Sequence, residues 1–146
     1  MKETKGQCLC GSVTFTGVGP LGAVEVCHCR TCRQHTAGPL MSTSFADGIR
    51  VDSEGDLRWY ASSPIAERGF CGHCGTTLFW RLTTSSAMSV SPHVLDATPE
   101  SIREHVFADE KPDWYEFADD APRVTAAQML ARLEAWKKRQ QAAKQG

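Results

Sequence analysis

The stretch CHCRTCR, residues 27–33, places three cysteines within six positions. Zinc usually takes four ligands, so the fold and the chemistry turn on what completes this trio. Two further cysteine groups frame the answer. CLC at 8–10 and CGHC at 71–74 are each followed directly by glycine, Gly11 and Gly75. Glycine permits the tight positive-φ turn that folds backbone N–H groups toward a thiolate. Two such knuckles, joined by sheet pairing, make a closed four-thiolate site from Cys8, Cys10, Cys71 and Cys74. Four sulfurs at about 2.3 Å are the mark of a structural zinc.

Cys27, Cys29 and Cys32 are then left over, and Arg33 rather than glycine follows them. Three protein ligands with one vacancy is the arrangement of catalytic zinc sites. Two other partitions stay open. In one, Cys29 and Cys32 pair instead with Cys71 and Cys74 as an ordinary zinc ribbon, which strands Cys8, Cys10 and Cys27. His35, three residues past Cys32, is placed to close the trio as a three-cysteine, one-histidine site. His28 lies between two ligands, where its side chain should point away from an ion. His73 is expected to be exposed, and His93 and His105 carry no motif.

The chain has 146 residues, a length that fits one domain with a modest core that metal staples would help. It is 41% hydrophobic and 23% charged, with a formal net charge of −1. That balance is ordinary for a soluble globular protein and gives no basic stripe for nucleic acid. The start, MKETKGQCLCGSV, lacks the apolar core of a signal peptide, and no apolar run reaches the roughly 18 residues of a membrane span. A cytoplasmic setting is therefore expected, where thiols stay reduced. Seven cysteines there read as metal ligands or catalytic groups rather than disulfides.

Short alternating segments fill the first two-thirds: 12–15, 23–26, 40–45, 49–51, 57–60, 67–70, 77–81 and 87–91, with turn signals such as Asp47-Gly48 between them. They predict a mainly β fold with antiparallel pairing. TPESIREHV predicts a short helix with Thr98 as N-cap and Pro99 at its first position. The tail changes period. Thr125-x-x-Gln128 is a capping-box pattern, and Met129, Leu130, Leu133 and Trp136 recur at helical spacing. They predict a C-terminal amphipathic helix over 124–146 whose apolar stripe packs on, or extends from, a β domain over 1–123.

Taken together, GQCLCGSVTF, CHCRTCRQHTAG and RGFCGHCGTTLFW, in that order, resemble the glutathione-dependent formaldehyde-activating enzyme family, which also includes centromere protein V. HVFADEKPDWYEFADDAPR resembles its C-terminal signature, so the likeness runs from about Gly6 to Arg123. The resemblance implies a zinc-stapled antiparallel β-tent. It also implies structural zinc ligands at Cys8, Cys10, Cys71 and Cys74, and a glutathione-associated catalytic site at Cys27, Cys29 and Cys32. The founding activity of the family is condensation of formaldehyde with glutathione to S-(hydroxymethyl)glutathione.

The expectation is a zinc-dependent carbon–sulfur lyase with one structural and one catalytic or labile zinc. Its partner is a small thiol such as glutathione, not nucleic acid or a membrane. The alternative is a non-catalytic zinc module that binds a protein or small ligand. Arg30 and Arg33 flank the trio and suit the carboxylates of such a thiol. Of Trp59, Trp80, Trp114 and Tyr115, at least two are expected in the core, and the alternative for Trp114 and Tyr115, after Lys111-Pro112, is to wall a pocket. Asp119 and Asp120 are acid–base candidates only through the family signature. The sequence names neither the true substrate nor the oligomeric state.

Overall fold

Alternating apolar residues build the strands that carry the cysteines. The computed structural model describes residues 2–145. Ten strands are formed. They are β1 (Glu3–Gln7), β2 (Thr14–Val18), β3 (Val24–Cys27), β4 (Leu40–Ser42), β5 (Ile49–Ser53), β6 (Leu57–Ala61), β7 (Ala66–Cys71), β8 (Thr77–Leu82), β9 (Met88–Val90) and β10 (Ile102–Val106). Two α-helices, α1 (Arg30–Thr36) and α2 (Ala126–Gln145), complete the regular structure with two one-turn 3-10 helices. The fold is mainly β with antiparallel sheets and a C-terminal helix.

The chain divides into two units. The first comprises residues up to Glu25 together with Met41–Ser101. The second comprises Val26–Leu40 and the chain from Ile102 onward. Within the first unit, β1, β2 and β5 form one sheet and β6 to β9 another, each in antiparallel order. The core gathers Val13, Phe15, Phe45, Leu78, Phe79 and Val90 around Cys8 and Cys71. Phe15 meets Phe79 edge to face, with centroids 5.1 Å apart. Trp59 stacks on Phe79 at 6.0 Å and carries the Arg81 guanidinium on its ring at 3.6 Å. Gly6 and Gly17 are needed here, because a Cβ at either would run into the ring of Phe15 or Phe45.

Both cysteine knuckles are hairpin turns of this unit. One joins β1 to β2 and the other joins β7 to β8. The pairing slips register beside each, between Thr14 and Phe15 and between Gly69 and Phe70. Such bulges re-aim the chain at the end of a ladder.

The second unit is organised differently. Its own β10 runs beside β3, and His28 N–H donates to the Val106 carbonyl at 3.0 Å. β10 occupies part of the segment where the sequence pattern predicts a helix from Thr98. Ile102 and Val106 are β-branched, and with His105 and Val106 buried the ladder outweighs the capping signal. α1 and the N-terminal strand β1 have no counterpart in the sequence expectation. Each is short and almost wholly polar, so neither shows an apolar period in the sequence.

The capping box at α2 is formed. Gln128 Oε1 accepts from Thr125 N–H at 2.8 Å, and Thr125 Oγ1 accepts from Gln128 N–H at 3.2 Å. The apolar stripe is covered less than its pattern predicts. Met129, Leu133 and Trp136 are half-buried, Leu130 is 56% exposed, and no described residue of α2 is buried. Arg132 ties the helix to Glu104 through both terminal nitrogens, at 2.9 and 3.1 Å.

Candidate functional site

The seven cysteines fall into two separate groups, each able to hold a metal ion. Cys8, Cys10, Cys71 and Cys74 have all their sulfurs within 4.8 Å of one another, and so do Cys27, Cys29 and Cys32. The first group lies wholly in the first unit and the second wholly in the second. Cys71 and Cys74 thus gather with Cys8 and Cys10, and not in a ribbon with Cys29 and Cys32, among the described residues.

In the four-cysteine group, Cys8 Sγ lies 3.6 Å from Cys10 Sγ, which lies 3.8 Å from Cys71 Sγ. Sulfurs bound tetrahedrally at ~2.3 Å stand ~3.8 Å apart, so the spacing fits zinc. The two knuckles share one backbone form, with φ of 81° at Gly11 and 80° at Gly75. Each glycine N–H donates to the carbonyl of the first cysteine, at 3.1 Å for Cys8 and 2.8 Å for Cys71. The N–H groups that reach sulfur belong to other residues. Val13 donates to Cys8 Sγ at 3.3 Å and Cys74 to Cys71 Sγ at 3.4 Å. The glycine thus sets the turn, and its neighbours solvate the thiolates. Thr76 links the knuckles, with its hydroxyl 3.1 Å from Cys74 Sγ and accepting from Leu9 N–H at 3.0 Å. The Thr76 hydroxyl, followed by the N–H groups of Cys10 and Thr76, holds the Cys74 thiol down to about 5. A thiol that ionises this readily is a ready metal ligand.

The three-cysteine group is built by a strand end and a helix start. Cys27 ends β3. Cys29 caps α1 in extended conformation, and its sulfur accepts from Cys32 N–H at 3.3 Å. Cys32 is buried in the first helical turn. Hydrogen bonds with Cys29 and Cys32, followed by burial, push the Cys27 thiol far above its ordinary value. Three thiolates this close need a cation among them, which is the donor chemistry of a metal site. Neither His28 nor His35 belongs to this group among the described residues, so neither fills the closing position that the sequence leaves open for His35.

His28 faces elsewhere. It is 1% exposed, as is His105. His28 Nε2 lies 2.8 Å from His105 Nδ1, and His28 Nδ1 lies 2.8 Å from the Tyr115 hydroxyl. His105 Nε2 sits 3.0 Å from both Asp119 carboxylate oxygens. The result is an unbroken chain of Tyr115, His28, His105 and Asp119, with Phe117 set edge-on to both imidazoles. Burial, helped by the positive charges of His105, Lys111 and Arg123, holds His28 down to about 4. Burial works to raise the Asp119 carboxyl, but hydrogen bonds from His105 and the Ala121 N–H outweigh it and leave it below its ordinary value.

Two cations pin the irregular segment that carries Tyr115 and Asp119. Lys111 Nζ donates to the carbonyls of Pro112 and Tyr115 at 3.1 and 2.6 Å. Arg123 donates to the carbonyls of Phe117, Asp119 and Ala121. Arg33 Nε donates to the His28 carbonyl at 2.9 Å, and Arg30 is exposed. Trp114 is 83% exposed, whereas Trp59 packs against the core. His73 is exposed.

Sequence reasoning passes over His28 and His105 as partners. Strand alternation holds a usable signal. If Cys27 and Cys29 face one side, the residue between them faces the other, and a histidine there needs a polar partner.

Residues 3–110 match the family described as glutathione-dependent formaldehyde-activating enzyme. The chain is 32% identical over 139 residues to an uncharacterized lyase of Schizosaccharomyces pombe, covering 91% of this chain and 98% of that protein. It is 29% identical over 127 residues to a Halomonas elongata protein named as a glutathione-dependent formaldehyde-activating enzyme, covering 77% of this chain and 79% of that one. A crystal structure of a Rhodobacter sphaeroides protein shares the fold with a TM-score of 0.52 and 18% identity, over 82% of this chain and 99% of that one. With the cysteine groups in place and the match spanning most of its length, this chain belongs to the glutathione-dependent formaldehyde-activating enzyme family.

Proposed function

We propose that the protein is a carbon–sulfur lyase acting on thiol adducts of small aldehydes, of which S-(hydroxymethyl)glutathione is the simplest glutathione case. Cys27, Cys29 and Cys32 hold a zinc ion with one side open, while Cys8, Cys10, Cys71 and Cys74 hold a second as a structural staple. The observation that carries this reading is the three-sulfur group, which no histidine, carboxylate or further cysteine joins among the described residues. When bound there, zinc supplies the positive charge that favours the thiolate form of an incoming thiol.

The remaining work falls to the chain's own residues. Cys29 and Cys32 are held rigid by the N-cap bond between them, which fixes the opening. Three thiolates around a divalent ion would leave a net negative charge, which would weaken the hold on a further thiolate. Arg30 and Arg33 flank the trio in the chain and offset that charge. They also offer guanidinium forks to the carboxylates of a glutathione-like substrate.

The test is turnover of a glutathione–formaldehyde mixture by zinc-loaded protein, followed as equilibration of S-(hydroxymethyl)glutathione beyond the uncatalysed rate. Catalysis that Cys29→Ser abolishes while the fold persists supports the reading. Catalysis unchanged in that variant, or absent from the zinc-loaded protein, contradicts it.

A further inference from the structure

The two cysteine knuckles end on one repeated pattern. Cys10-Gly11-Ser12 closes the first and Cys74-Gly75-Thr76 the second. The glycine φ is 81° in one and 80° in the other, so both turns carry the chain back past the sulfur in the same way. The residue after each glycine bears a hydroxyl, and that hydroxyl lies against sulfur. Thr76 Oγ1 is 3.1 Å from Cys74 Sγ. Ser12 Oγ is 3.4 Å from Cys10 Sγ, 3.4 Å from Cys71 Sγ and 3.9 Å from Cys8 Sγ, so it touches three of the four sulfurs.

A sulfur bound to a metal has given up its hydrogen and can only accept. With an ion in place, the hydrogen in each of these contacts therefore comes from the hydroxyl. Thr76 Oγ1 accepts from Leu9 N–H at 3.0 Å, which leaves its own hydrogen for Cys74. Main-chain donors serve the other knuckle positions, Val13 N–H on Cys8 Sγ at 3.3 Å and Cys74 N–H on Cys71 Sγ at 3.4 Å. All of these donors are neutral, whereas four thiolates around a divalent ion make a doubly negative centre.

We infer that Ser12 and Thr76 are positioning residues of the four-cysteine centre, whose hydroxyls hold its ion against chelators and its sulfurs against electrophiles. The inference goes beyond the lyase reading and rests only on that group holding a metal. A hydrogen bond stabilises the negative sulfur that the ion needs, and it spreads the charge that an electrophile would attack. The need falls where the hydroxyls are. Cys8 and Cys71 are 1% and 0% exposed, but Cys10 is exposed and Cys74 half-buried. The two sulfurs within reach of solvent are the two that open a Cys-Gly-hydroxyl pattern.

Two measurements on the full chain test the inference. Cadmium-113 NMR of the cadmium-loaded protein reads the four-sulfur and three-sulfur centres separately, and EDTA competition followed on the four-sulfur signal gives its affinity. Thr76→Val keeps the branched shape and loses the hydroxyl. In it, and in Ser12→Ala, the affinity should fall about tenfold to a hundredfold, while Thr76→Ser stays close to the wild type. Iodoacetamide alkylation of the zinc-loaded protein, mapped by peptide mass, supplies the second arm. The first sulfur alkylated should be Cys74 in Thr76→Val and Cys10 in Ser12→Ala. Unchanged affinity in both variants overturns the inference. So does a uniform rise of alkylation across all the cysteines, which marks a loosened fold rather than a lost hydrogen bond. If the wild type shows no four-sulfur cadmium signal, the group holds no metal, and this inference falls whatever becomes of the lyase reading.

Discussion

His28 Nε2 and His105 Nδ1 meet at 2.8 Å in the interior of the second unit, one ring from the turn after β3 and one from β10. Both rings are 1% exposed, so each needs the other. His105→Leu keeps a side chain of similar bulk but strips partners from His28 and Asp119. The expected loss is about 1–3 kcal/mol, the cost of leaving buried polar groups unmade. Urea denaturation checks it, and an unchanged midpoint would show that the pair carries no stability.

Cys71→Ser and Cys29→Ser should part company. Cys71 sits at the centre of the core beside Cys8 and bonds with the other knuckle, and structural zinc contributes folding energy directly. Its loss should lower the melting temperature sharply. Cys29→Ser should leave most of the melting temperature in place, because its group holds a helix start rather than the core. Equal collapse of both variants would remove the distinction between the two centres.

Phe15 and Phe45 each lean on a strand glycine, where a Cβ at Gly6 or Gly17 would strike the ring. Gly6→Ala and Gly17→Ala should each cost about 1–3 kcal/mol through overpacking. Gly38→Ala is the control, since its Cβ meets nothing within 4 Å and its φ is not positive. Thermal melts of the three variants test the ranking. A costly Gly38→Ala or a neutral Gly17→Ala would refute it.

Asp52 gives a pH signature. A hydrogen bond from the Thr16 hydroxyl, then one from Arg50, holds its carboxyl below the ordinary value. A depressed carboxylate stabilises the fold above its unfolded pKa of about 3.9, and that contribution is lost as pH falls through the lower folded value. Asp52→Asn should therefore be less stable than the wild type at neutral pH, and the gap should close in acid. A gap of constant size across that range would contradict the assignment.

The cysteine spacing and the alternating runs made the strands and the two knuckles legible, because turns and ladders are local. Phe15, Phe79 and Trp59 follow directly from that alternation. Ile102–Val106 was obscured by a convincing cap at Thr98 and Pro99, a local signal that loses to pairing with β3. The four-residue relay was the least legible part. His28, His105, Tyr115 and Asp119 lie up to 91 positions apart, and nothing in the chain announces that a ring at 28 will meet one at 105. The capping box at Thr125 was fully readable, yet the burial of the stripe behind it was not, since periodicity tells which residues share a face and not how much covers it.

The claim on which the account rests is that the Cys27, Cys29 and Cys32 centre keeps one side open to a thiol. Glutathione titration of cobalt-substituted protein, read by sulfur-to-cobalt charge-transfer absorption, tests it most directly. The account expects an absorption change that saturates at one glutathione per chain and vanishes in Cys29→Ser. A spectrum indifferent to glutathione, or a change that survives in Cys29→Ser, would contradict it.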